Sequence, residues 1–78
     1  MASNWARQQA REIAEAVLDG RTTILEGAKA LFPLAYTDAV ANEEDRKLII
    51  AIESEIARAE PLKKQFLGAC KRIAAHCR

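Results

Sequence analysis

The chain has 78 residues and a formal charge of +1, with half of its residues hydrophobic and 29% charged. That composition excludes a disordered polyelectrolyte, and the near-neutral charge removes the strongest argument for nucleic acid or an anionic membrane as obligatory partner. Size scaling gives about 4,700 Å² of folded accessible area against about 12,000 Å² unfolded, enough for one core and not two.

Residues 1–78 are therefore read as a single domain. Its only aromatics are Trp5, Phe32, Tyr36 and Phe66. Ile, Leu, Val and Ala must build the core, which favours helices. Ser3 or Asn4 can cap a first helix, along which Ala10, Ile13, Ala14, Val17 and Leu18 recur at three- and four-residue spacing. Gly20 supplies a left-handed stop. The segment Thr23-Ile24-Leu25-Glu26 reads as a capping box opening a second helix, which buries Ile24, Ala28, Leu31 and Phe32. Gly27 inside it costs about 1 kcal/mol relative to alanine, a cost that close helix approach offsets. Pro33 then breaks or kinks the chain, which can resume helically over 33–36.

Asn42 followed by Glu43-Glu44-Asp45 places a cap and three acids in a first turn, where the helix dipole favours them. On the third helix Leu48, Ile49, Ile52, Ile56 and Ala59 share a face. Ile50 projects the other way, beside Ser54 and Ala57, as a second apolar contact. Pro61 ends this helix and starts the fourth, whose stripe is Leu62, Phe66, Cys70, Ile73 and Cys77. Alternating β patterns and hairpin turns are missing. The expected architecture is all-α: a compact four-helix antiparallel bundle with helices near 3–19, 23–32, 43–59 and 61–77.

No stretch reaches the roughly 20 apolar residues that span a bilayer, and the first residues lack the apolar run of a secretory signal. A cytoplasmic protein without membrane partner is the expectation. Cys70 and Cys77, about 10 Å apart along one helix, are too distant for a disulfide and are expected as reduced thiols.

Chemistry-bearing groups are sparse. Cys70, His76 and Cys77 do not converge as zinc ligands, so no metal and no cofactor is expected. His76 and Cys77 diverge at adjacent helical positions, which makes a poor nucleophile–base pair, and the acids are explained by capping and by solvated helix faces. No catalytic residue is assigned.

The charge is unevenly placed: residues 1–60 hold seven basic and eleven acidic groups, residues 61–78 five basic and none acidic. Lys64, Lys71 and Arg78, seven apart, make a basic line on the fourth helix, beside Lys63 and Arg72. They suit a solvated face, or phosphate contacts in a nucleic-acid-binding alternative, although no aromatic interleaves with them for base stacking. Trp5 is read as closing the end of the core, with an interface anchor as the alternative.

The segments Leu18-Asp19-Gly20, Ile24-Leu25-Glu26-Gly27 and Ile52-Glu53-Ser54-Glu55 together resemble a pattern in a family of small uncharacterised bacterial all-helical proteins. The likeness covers about residues 13–61. An aromatic expected before Ile52 is replaced by Leu48, Ile49 and Ile50. The resemblance implies a bacterial cytoplasmic setting, singles out Glu26, Gly27, Ser54 and Glu55, and supplies no activity. The expected function is a non-catalytic interaction module that binds another protein or a second copy of itself, through Trp5, through Ile50 and Ala57, or through the basic helix.

Overall fold

Four α-helices make the fold: α1 (Ala2–Leu18), α2 (Ile24–Leu31), α3 (Glu43–Ser54) and α4 (Lys63–His76). The structure is a computed structural model that describes residues 2–78, except for the side chains of Ala2, Ser3 and Ile56. Two short 3-10 turns, Phe32–Leu34 and Ile56–Arg58, interrupt the connections, and no strand occurs among the described residues.

α1 buries Ala6, Ala10, Ala14 and Val17, a row of mostly small side chains that lets α4 lie close along it. Against that row α4 sets Phe66, Cys70, Ile73 and Cys77, all buried. The two run antiparallel: Arg7 and Cys77 line a cleft at one end, Val17 and Leu67 one at the other. Phe66, Leu31, Ile49 and Ile52 are fully buried, each contributing about 1.5–3 kcal/mol. The accessible surface of 4765 Å² matches the about 4,700 Å² expected of a monomeric chain of this mass.

The turns follow from their sequences. Gly20 has φ of 77°. The Arg21 amide donates to the carbonyl of Ala16 at 2.8 Å and the Gly20 amide to that of Val17 at 3.1 Å, the paired bonds of a Schellman stop. Thr23 Oγ1 accepts from the Glu26 amide at 3.1 Å, one half of the expected box. Asn42 Oδ1 accepts from the amides of Glu44 and Asp45. A Cβ on Gly27 would overlap Cγ2 of Val17, so α2 meets α1 at van der Waals contact there.

Several expectations need correction. Helix α1 already includes Ser3 and Asn4, so neither stands at a cap position, and the Ser3 side chain lies outside the described residues. Helix α3 stops at Ser54, not near 59: Glu55 is extended, with φ of −131° and ψ of 99°. A helix carried further would leave the carbonyl of residue 57 facing Pro61, which has no amide to give. Ala59 is therefore off the helix, and the Ile56 side chain lies outside the described residues. Ala57, in the 3-10 turn, no longer shares a helical face with Ile50. Pro61 and Leu62 form the turn into α4, which begins at Lys63. Trp5 does not close the core; it is 61% exposed.

Between Leu34 and Asn42 the chain is irregular, yet Ala35, Ala39 and Val40 are fully covered. Side chains satisfy its carbonyls in place of a helical ladder. Arg46 donates from Nε to Ala35 at 2.7 Å and from Nη2 to Val40 at 3.3 Å. Thr37 Oγ1 donates to Leu34 at 2.7 Å, and the Cys77 thiol donates to Ala39 at 3.3 Å. This segment ties α3 and α4 to the end of α2.

Candidate functional site

The seam between α3 and α4 holds the chain's one fully buried charged side chain among the described residues, Asp45, at 1% exposure. Its Oδ1 accepts from Arg72 Nη2 at 2.6 Å, and its Oδ2 from Arg72 Nε at 3.0 Å. This is a two-pronged guanidinium–carboxylate bond, the strongest ionic geometry available to side chains. The N-terminal end of α3 adds its dipole and the Asn42 cap. Hydrogen bonding to Asp45 raises the Arg72 pKa further above its ordinary range.

Two buried thiols, Cys70 and Cys77, lie on α4 and at its C-terminal end. Burial, reinforced by the charge of Asp45, pushes Cys70 up to about 12. Cys77 is also raised, by burial first, with Asp38 adding to the rise and Arg7 opposing it. Neither forms appreciable thiolate near neutral pH. His76 Nε2 lies 2.8 Å from the Asp38 carbonyl; a carbonyl only accepts, so this nitrogen carries the proton. Cys77 and His76 thus hold neighbouring carbonyls of the irregular segment. Among the described residues, no three His, Cys, Asp or Glu side chains group as metal ligands.

The residues singled out in sequence are dispersed. Glu26 is exposed at the start of α2, while Ser54 and Glu55 are exposed at the end of α3, where Glu55 pairs with Arg58 Nε at 2.9 Å. Gly27 sits at the α1–α2 contact. Ile50 is half-buried and Ala57 exposed. Lys64, Lys71 and Arg78 are exposed but do not share one face: Lys71 is on the side of α4 turned away from Phe66 and Ile73, Lys64 borders the α3–α4 seam, and Arg78, past the end of α4, lines a cleft with Cys77 and the N-terminal half of α1. Arg72, one residue on from Lys71, turns instead to Asp45.

Trp5 and Tyr36 are the large apolar side chains left outside, at 61% and 70% exposure. Tyr36 stacks under Arg46, whose guanidinium carbon is 5.9 Å from the ring centre. Trp5 shares a flank of α1 with Gln9, Glu12 and Ala16, at offsets of four, seven and eleven residues. Those three residues, with Ile13 of α1 and Glu26, Gly27 and Ala30 of α2, line a shallow groove of about 310 Å³. Trp5, one helical turn before Gln9, shares a flank of α1 with part of this groove's lining but does not line it.

Sequence reasoning missed Asp45 as a core residue, although Leu48, Ile49 and Ile52 recur at three, four and seven residues from it. That spacing was the available signal. Arg46 and Arg7 gave none, because their partners are irregular backbone and a cleft made by distant parts of the chain. Comparison of this chain with protein-family models, curated proteins and solved structures finds no match.

Proposed function

We propose that this chain is a non-catalytic helical interaction module, binding another protein or a second copy of itself through the α1–α2 face with Trp5 as anchor. The observation that carries the reading is the 61% exposure of Trp5, on the flank of α1 that it shares with Gln9, Glu12 and Ala16 of the α1–α2 groove. Tryptophan is enriched at interface hot spots, where a large rigid ring is buried at little cost in side-chain entropy. The engaged His76 and the raised thiols support recognition in preference to covalent chemistry. The resemblance to small bacterial helical proteins, and the cytoplasmic setting it implies, fit such a module; among the described residues no helix is long and apolar enough to cross a membrane.

Sedimentation velocity over a concentration series tests the self-associating form. The expected result is a concentration-dependent dimer that Trp5→Ala weakens by about tenfold or more, a loss typical of an anchor residue. A wild-type chain that stays monomeric, with constant melting temperature, contradicts self-association. Affinity capture with wild-type and Trp5→Ala baits then tests the hetero-partner form, which falls if the same proteins are retained by both.

A second reading, nucleic-acid binding, is favoured by the exposure of Lys64, Lys71 and Arg78. Fluorescence anisotropy with single- and double-stranded oligonucleotides at low salt decides it. No binding at about tens of micromolar removes it, since non-specific contacts reach that range.

A further inference from the structure

We infer that the cleft between the N-terminal half of α1 and the C-terminal end of α4 is a site for a phosphoryl-type oxyanion, gripped by Arg7, Arg11 and Arg78. These three arginines, distant in sequence, line one opening of about 380 Å³, with the side-chain amides of Asn4 and Gln8 beside them. Arginine's planar fork matches the oxygens of a phosphoryl group, and amides add neutral donors.

The donors are incompletely used. Arg7 Nε is buried without a hydrogen-bond partner, a state that is costly for an N–H donor. Arg7 Nη2 lies 3.5 Å from Asp38, and Arg11 Nε 3.5 Å from Glu15; both pairs are largely exposed. Those distances exceed the about 2.7–2.9 Å of a charge-assisted hydrogen bond. Glu12 also lines the cleft, and one of its oxygens already accepts from the Gln8 amide at 3.4 Å. Arg78 forms no ion pair among the described residues. The negative end of the α4 dipole attracts cations to this end of the molecule. That attraction accounts for the placement of the arginines, not for the opening left between them.

The phosphoryl group can come as free phosphate or carried on a nucleotide, and the test separates the two. Isothermal titration of the intact chain with inorganic phosphate, and separately with a nucleoside monophosphate, is carried out against chloride at constant ionic strength. Saturable binding is expected, weakened about tenfold in Arg11→Gln and in Arg7→Lys, the loss of one charge-assisted donor. Arg7→Lys keeps the charge opposite Asp38 but removes the planar guanidinium fork, so a purely electrostatic role predicts no loss. Lys71→Gln, on the outer face of α4, should bind as the wild type does. Tighter binding of the nucleotide than of phosphate identifies the carried form; equal binding identifies the free ion. The inference is overturned by no saturable binding of either probe at about tens of millimolar. It is equally overturned if Lys71→Gln weakens binding as much as Arg11→Gln, or if Arg7→Lys binds unchanged. These readouts are independent of the oligomeric state, so they stand or fall apart from the Trp5 reading.

Discussion

Asp45 and Arg72, 27 residues apart, close a two-pronged ion pair with one partner buried and the other open to solvent: the carboxylate side chain is 2% exposed, the guanidinium 55%. The asymmetry decides how each half responds to mutation. Removing the arginine leaves a buried carboxylate without its partner. Removing the carboxylate charge leaves an arginine that water can solvate.

Arg72→Gln should therefore cost about 3 kcal/mol, the range seen when one member of a buried pair is lost. Asp45→Asn, which keeps the shape and a carbonyl acceptor, should cost about 1 kcal/mol. Urea unfolding of the two variants measures both. Equal losses would show that the pair acts as an ordinary surface contact.

Gly27→Ala gains about 1 kcal/mol of helix propensity but drives a methyl group into Cγ2 of Val17. Overpacking of this kind costs about 1–3 kcal/mol, so a net loss is expected. In the double variant with Val17→Ala the two substitutions should be less than additive, because the smaller side chain makes room. Strict additivity in thermal or urea unfolding would show that the clash is relieved elsewhere.

At Gly20 a methyl group meets no neighbour, yet φ is 77°, where an L side chain is strained. Gly20→Ala should lower stability by about 1 kcal/mol with the structure otherwise unchanged. Asn42→Ala, which strips the α3 cap of its acceptor, should lower it by about 1 kcal/mol as well. Chemical denaturation with unaltered m-values checks both; a neutral Gly20→Ala would mean that the turn relaxes out of the left-handed region.

Cys70 is raised from an ordinary 9.0 to about 12, so the folded thiol holds its proton after the unfolded one has lost it. The stability this contributes is fully present below about pH 9 and is lost as pH rises toward about 12, by roughly 1.4 kcal/mol per unit. Unfolding free energies measured between about pH 8.5 and about pH 10.5 should fall more steeply for the wild type than for Cys70→Ala. Parallel slopes would remove Cys70 as the cause. In native protein a thiol reagent should modify Cys77 before Cys70, since Cys70 is fully buried.

Much of the architecture is legible in local sequence. Gly20, Thr23 and Asn42 act on amides and carbonyls within five residues of themselves, so their caps and stops can be read without knowing where the chain goes. The stripes Ala10–Ala14–Val17 and Phe66–Cys70–Ile73–Cys77 are equally local, being set by helical periodicity. Errors lie where a distant partner decides. Asp45 falls on the same face as Leu48, Ile49 and Ile52, yet its charge has a sufficient local account in the α3 dipole; only Arg72, 27 residues away, makes its burial sustainable. The propensity of residues 55–59 is compatible with a continuing third helix, while reversal toward Pro61 and α4 demands extended geometry at Glu55.

What the sequence alone determined is thus the identity of the elements and the faces they bury, because periodicity, capping and left-handed glycine act through short-range sterics and hydrogen bonds. Tertiary structure alone decided which charges are structural and which are free. Arg46 and Arg72 are committed to buried carbonyls and to Asp45, whereas Arg7, Arg11 and Arg78 are gathered at one open cleft. A charge's role depends on what the fold places within about 4 Å of it, and that distance is set by elements the linear chain keeps far apart.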